Sequence, residues 1–347
     1  MSGVNNRIRY FDLLRVICTA FIIYYHMLVE LWVDGISPSE KVSVFYSNPN
    51  MSLATLGVGV FFMLSGAGLT ISSKSEFSIK EFYKKRFITV LVPFYIANLV
   101  YYIVELFISD KNWFRDIANW KIIYTALGID EWLKMHEVDV VSTSIGEWFL
   151  GALIIIYLLY PVFRYLMNKY PYLFFTLAAS IYIAWIYNCR MQTPPANMTV
   201  IAKAFEFIIG MYIGKYMKTF PKKLMPVVVP VFVFFATNQW PLGINSALTT
   251  TLTAFVFFAS LSYLEPMLAK HECKGLTLLS GFTYYCFLTH HMVIYIITPM
   301  MKPHLDGKFS MLGMFALEIV LMIVFALIVK VLTNLLIKGA SRLIRQN

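Results

Sequence analysis

Residues 10–32, YFDLLRVICTAFIIYYHMLVELW, are long enough to cross a bilayer, yet they carry Asp12 and Arg15 near one end and His26 near the other. About 20 apolar residues at about 1.5 Å each span the hydrocarbon. Ionisable groups inside such a helix are costly in lipid, so they face a protein interior, a cavity or a ligand. The Arg15–His26 spacing is close to three full turns, which puts both side chains on nearly one face, about 16 Å apart along the axis. One face therefore presents a cation at one depth and a titratable imidazole at another.

The rest of the chain repeats the apolar pattern. It is 59% hydrophobic with a mean hydropathy of +0.67, well above the 45–50% apolar content of soluble domains. This composition describes an all-α, polytopic integral membrane protein with membrane lipids as neighbours. The net charge of +10 would point to nucleic acid in a soluble protein; here the basic residues gather in one set of loops, which is an orientation signal rather than a nucleic-acid footprint. Cys18, Cys189, Cys273 and Cys286 form no CxxC pair, so neither a disulfide framework nor a metal site is expected. No cleavable leader is expected, because the first apolar run is full length, carries charge and lacks a small-residue cleavage site.

Apolar runs and turn signals together predict ten spans, near 11–31, 51–71, 87–108, 147–167, 171–188, 200–215, 224–238, 244–263, 276–298 and 311–335. One set of connections and the termini then holds 18 Lys and Arg residues against eight on the other side. By the positive-inside rule both termini are expected in the cytoplasm. Residues 109–146 form the longest connection, an external loop or small cap within a single membrane domain covering 1–347. Its stretch 113–133, WFRDIANWKIIYTALGIDEWL, mixes Trp, Ile and charge as an interfacial helix does, or as an ordinary folded loop does. Gly57, Gly59, Gly66 and Gly68 are expected to keep the second span from being a simple helix.

On this topology His26, Glu147 and the pair His290–His291 fall towards the outside. Imidazole is the natural general base near neutral pH, and a carboxylate can orient it. Each also has a plainer reading: an interfacial hydrogen bond for His26, a helix N-terminal carboxylate for Glu147. His291 can face away from His290, since adjacent helical residues diverge by about 100°. A zinc site from His26, His290 and His291 has no spacing signal and no cysteine partner behind it. On the opposite side Lys84, Lys85 and Arg86 precede the third span. With Arg15 they can hold the phosphates of a cytosolic donor, or simply set topology against anionic lipid.

These residues form a pattern. The first span carries Arg15, ten intervening residues and His26, with Asp12 three before the arginine. The second contains GVGVFFMLSG at 57–66. KKRFITVLVPFY follows at 84–95, then WFL at 148–150 running to YLLYP at 157–161, then Thr283, Tyr284, Phe287, Leu288 and His290. In this order the motifs resemble the membrane-bound acyltransferase-3 family, which O-acylates cell-envelope polysaccharides, peptidoglycan and related glycans. Two departures stand out: family members often have Asp where this chain has Gly59, and commonly Arg where it has Val90.

The resemblance implies an O-acyltransferase, foremost an O-acetyltransferase. The donor would be cytosolic acetyl-CoA or another acyl-CoA, with no tightly bound cofactor. The acceptor would be a hydroxyl of an envelope glycan or lipid-linked saccharide, at the bacterial cytoplasmic membrane. His26 would take the acceptor's proton or carry the acyl group. Glu147, Tyr284 and His290 would orient that base or stabilise the oxyanion, while Arg15, Lys84, Lys85 and Arg86 would bind the donor. Two other classes fit ten helices and buried charge: a secondary transporter of a glycan precursor or small organic anion, and a non-enzymatic partner of an envelope-modifying enzyme.

Overall fold

The structure, a computed structural model, describes residues 7–36, 51–73, 76–108, 119–140, 145, 148–189, 194–217, 220–237, 245–270, 273–305 and 308–346. Its regular elements are helical. In chain order they are α1 (Arg9–Val33), α2 (Leu53–Ser72), α3 (Ile79–Arg86), a π-helical turn (Phe87–Leu91), α4 (Val92–Ile108), α5 (Ile122–Ala126), α6 (Asp130–Met135), α7 (Trp148–Lys169) and α8 (Pro171–Asn188). There follow α9 (Val200–Tyr216), α10 (Met225–Thr237), α11 (Ser246–Ser262), α12 (Glu265–Lys270), α13 (Lys274–Ser280), α14 (Thr283–Met301) and α15 (Lys308–Gln346), with short 3₁₀ turns between some of them.

Among the described residues six helical stretches are long and apolar enough to cross a membrane: Arg9–Val33, Leu53–Ser72, Ile79–Ile108, Trp148–Lys169, Ser246–Lys270 and Ser310–Arg342. The chain is thus an all-α, polytopic membrane protein, and the expectation of ten spans is corrected to six. The physical reason differs between the four lost segments. α9 and α10 have 17 and 13 residues, short of the roughly 20 needed. α8 and α14 reach 18 and 19 residues, but tyrosines, threonines and prolines, with His290 and His291 in α14, dilute their apolar character. The expectation that both termini are cytoplasmic rested on loops alternating across ten spans, and six spans no longer supply that basis. Residues 1–6 and 347 lie outside the described residues.

The chain divides into two compact units. One comprises Met1–Tyr25, Ser43–Ser73 and Phe163–Thr283; the other comprises His26–Val42, Lys74–Val162 and Tyr284–Asn347. In the first unit Tyr10, Phe11, Leu14 and Cys18 of α1 pack with Val60, Met63, Leu64 and Ala67 of α2 and with Ala254, Phe257 and Phe258 of α11. The start of α1 is capped from afar: Glu265 accepts the backbone N–H of Arg9 at 3.1 Å and of Tyr10 at 2.8 Å. A carboxylate there satisfies two orphan donors and suits the helix dipole.

α2 is an unbroken helix of 20 residues, which corrects the expectation that its glycines interrupt it. They serve close packing instead. A Cβ at Gly66 would overlap the Phe207 carbonyl oxygen, and one at Gly210 would overlap that of Met63; one at Gly214 would lie 2.6 Å from the Ala67 oxygen. α2 and α9 thus touch backbone to backbone, the arrangement that small residues four apart permit where lipid supplies no hydrophobic drive. We expect Gly210→Ala to lower the unfolding midpoint of the detergent-purified protein, by the 1–3 kcal/mol or more (roughly) of an overpacked interior. Gly313→Ala, where the added Cβ meets nothing within 4 Å, is the control. Equal melting of the two variants would contradict the close approach.

In the second unit the described part of residues 109–146 contains α5 and α6. Their seat on α7 is tight: a Cβ at Gly151 would come 2.5 Å from Trp132 Cβ. Glu147 lies outside the described residues. Asp130 is buried, and its Oδ2 accepts a 2.8 Å bond from Thr125 Oγ1. Burial pushes its carboxyl up to about 6, the Thr125 bond opposing. The unfolded value is about 4, so the fold favours the protonated acid. Its stabilising contribution is complete below about pH 4 and is lost as pH rises through about 6. Two units correspond to about 3 kcal/mol. Asp130→Asn is therefore expected to raise the melting temperature at pH 7.5 relative to the parent and to flatten the decline between pH 4 and 7. Parallel pH profiles for the two proteins would rule this out.

Candidate functional site

α1 begins as an arginine clasp. Asp12, 1% exposed, accepts bonds from Arg7 Nε at 2.6 Å and Nη2 at 3.0 Å, from Arg15 Nη1 at 3.1 Å and from Ser280 Oγ at 2.8 Å. Four donors satisfy its two oxygens, which is what makes a buried carboxylate tolerable. Both guanidinium groups stay about one-third exposed, Arg7 at 37% and Arg15 at 34%. The sequence places Asp12 three residues before Arg15, but nothing in it marks Arg7 and Ser280 as their partners. Arg7 lies before the first helical turn, where no helical periodicity marks it, and Ser280 comes from the other end of the chain.

In the other unit, Lys84 and Lys85 are exposed while Arg86 is half-buried, its Cζ 5.9 Å from the Phe82 ring centroid and 5.7 Å from that of Tyr157. Cation–π contact on two sides holds that guanidinium where a lysine would be less at home. The π turn follows at once. Pro93 has no N–H and its ring crowds the carbonyl four residues back, so the helix widens rather than breaks. Val90, at the place of the resembled family's arginine, is buried, and its carbonyl accepts a 2.8 Å bond from the Tyr284 hydroxyl.

Gly59, the other departure, faces a carboxylate. A Cβ there would stand 3.3 Å from Glu206 Oε1 and 3.1 Å from Ala254 Cβ. An aspartate at this position would bring a second negative group against Glu206, so the glycine leaves that room to the glutamate. Glu206 and Lys203 are both fully buried and paired at 2.8 Å. Thr251 Oγ1 donates to the other Glu206 oxygen at 3.0 Å, and the Tyr182 hydroxyl lies 2.9 Å from Thr251 Oγ1.

The histidines converge. The His26 ring centroid lies 5.2 Å from that of His290 and 4.4 Å from that of His291, and the latter two are 4.3 Å apart. The alternative in which His291 turns away from His290 does not occur. Consecutive helical residues diverge by about 100°, yet both ring centroids here lie within 5.2 Å of that of His26. His290 is fully buried, and its Nδ1 lies 2.6 Å from the Phe287 carbonyl oxygen. A carbonyl only accepts, so that nitrogen carries the proton and Nε2 keeps the lone pair. Glu30 lies one turn beyond His26 on α1. Tyr284 stands six residues before His290, about 9 Å along α14.

A family model described as an acyltransferase domain matches residues 8–335, nearly the whole chain. The chain belongs to this acyltransferase family. No curated protein and no solved structure matches it. Membership makes the protein an acyltransferase-type membrane enzyme, and it agrees with the family resemblance carried by the motifs from Asp12 to His290. The match runs through both units and includes Asp12, Arg15, Ser280 and the histidine cluster, while Arg7 lies just before it.

Proposed function

We propose that this acyltransferase moves an acyl group, foremost acetyl, from cytosolic acyl-CoA to a hydroxyl of an extracytoplasmic cell-envelope glycan or lipid-linked saccharide at the bacterial cytoplasmic membrane. The observation that carries the reading is the imidazole of His26 set against that of His290, whose protonation is fixed by the Phe287 carbonyl. His26 takes the proton of the acceptor hydroxyl as its oxygen attacks the thioester carbonyl. The C–O bond forms, the C–S bond breaks, and the proton passes to the departing thiolate. His290 is assigned to orienting the base, its Nε2 lone pair turned to accept a bond from the His26 ring once that ring has taken the proton.

Arg15, with Arg7 beside it on Asp12, and the group Lys84, Lys85 and Arg86 are assigned to the phosphates of the donor. Glu147 is assigned to orienting the base. Tyr284 is assigned a positioning role through its bond to the Val90 carbonyl at the π turn. The test is label transfer from acetyl-CoA, radiolabelled in the acetyl group, by protein reconstituted in liposomes and offered mixed envelope glycans. Acceptor-dependent appearance of label in saccharide is expected. Bound donor with no transfer to any glycan or lipid-linked saccharide would overturn the reading.

A further inference from the structure

The three histidines gather more tightly than a single base and its orienting partner require. His26, His290 and His291 each bring one ring nitrogen within 4.8 Å of the other two. In a tetrahedral zinc site with bonds of about 2.0–2.1 Å, ligand nitrogens stand about 3.3 Å apart. The cluster is therefore open by about 1.5 Å at most relative to that geometry, a distance that small side-chain rotations cover.

The surroundings fit a metal as well. His290 holds its Nδ1 proton on the Phe287 carbonyl, which aims the Nε2 lone pair and fixes the ring, as backbone carbonyls do for metal-binding imidazoles. Three imidazoles with no thiolate favour zinc, copper or nickel over magnesium or calcium, which prefer oxygen.

We propose that His26, His290 and His291 form a site for a divalent transition metal of the zinc class, with a fourth position left for water or another ligand. The His26 nitrogen that coordinates metal cannot at the same time accept a proton, so the metal-loaded protein is a resting form in which that base is withdrawn. The site goes beyond the acyl-transfer reading and stands without it, because metal binding is measured with no turnover.

The experiment uses the full chain, purified through a tag free of histidine, stripped with chelator and titrated with cobalt(II) and zinc(II). One metal per chain is expected, with the visible absorption bands of four-coordinate cobalt bleached by zinc. His291→Ala, or His291→Gln should the alanine variant fail to fold, is expected to weaken cobalt binding about tenfold or more. His26→Gln should do the same. His136→Ala and His304→Ala, which change histidines outside the cluster, should titrate as the parent does. Substoichiometric cobalt in the folded parent, or a cobalt titration unaltered in folded His291 variants, would overturn the proposal.

Discussion

His26→Gln is expected to insert, fold and bind acyl-CoA as the parent does, and to lose acyl transfer by about a hundredfold or more. Glutamine preserves most of the packing and some hydrogen bonding, but it cannot cycle a proton near neutral pH. Among its neighbours, His290 has its Nδ1 engaged by the Phe287 carbonyl, and Tyr284 donates to Val90 on a different turn. His290→Gln should cost less, because it orients rather than receives the proton. Turnover is to be measured in reconstituted protein with donor occupancy confirmed. Near-parental rates in His26→Gln would remove that residue from the chemistry and with it the proposed mechanism.

Glu206→Ala is expected to destabilise the first unit by roughly 3–5 kcal/mol, the usual cost of leaving one member of a buried ion pair alone. Lys203 is 1% exposed; without Glu206 its ammonium keeps only the Phe62 ring, 5.9 Å away, among the partners found for it. Thr251 would also lose the acceptor it donates to at 3.0 Å. The double variant Lys203→Met with Glu206→Leu removes both charges and should recover much of the loss, since well-packed apolar replacements of a buried pair are often neutral. Thermal unfolding in detergent micelles separates the cases. If Glu206→Ala melted with the parent, the pair would contribute nothing to the fold.

The departures at Gly59 and Val90 have different physical origins. At Gly59 the space is taken by Glu206, a residue of α9 nearly 150 positions on, so no local pattern announces it. At Val90 a buried aliphatic side chain stands in the π turn, and its carbonyl rather than its side chain makes the contact with Tyr284. Residue identity alone marks such a position as a loss, whereas the backbone geometry gives it a different use.

Local physics was legible without coordinates. The full-length apolar run of α1, interrupted by Asp12, Arg15 and His26, announces a membrane helix carrying costly groups, and the observed helix Arg9–Val33 contains all three. The apolar runs of α7 and α15 were equally plain from length and hydropathy, whereas the glycines of α2 misled. The count of ten spans failed where helices are short or diluted, as in α9, α10 and α14. Hydropathy reports the average environment of a segment and is silent about how a bundle arranges its shorter helices. Long-range pairing was equally hidden: Glu265 on the N-terminus of α1, Ser280 on Asp12, His290 and His291 around His26. Those contacts depend on how each helix is rotated about its axis and which neighbour it meets. Inside a membrane that choice is made by close packing and hydrogen bonding, not by burial of apolar surface. The amino-acid sequence by itself therefore determined the membrane class and the charged first helix; only the tertiary structure decided which imidazoles and carboxylates share a site.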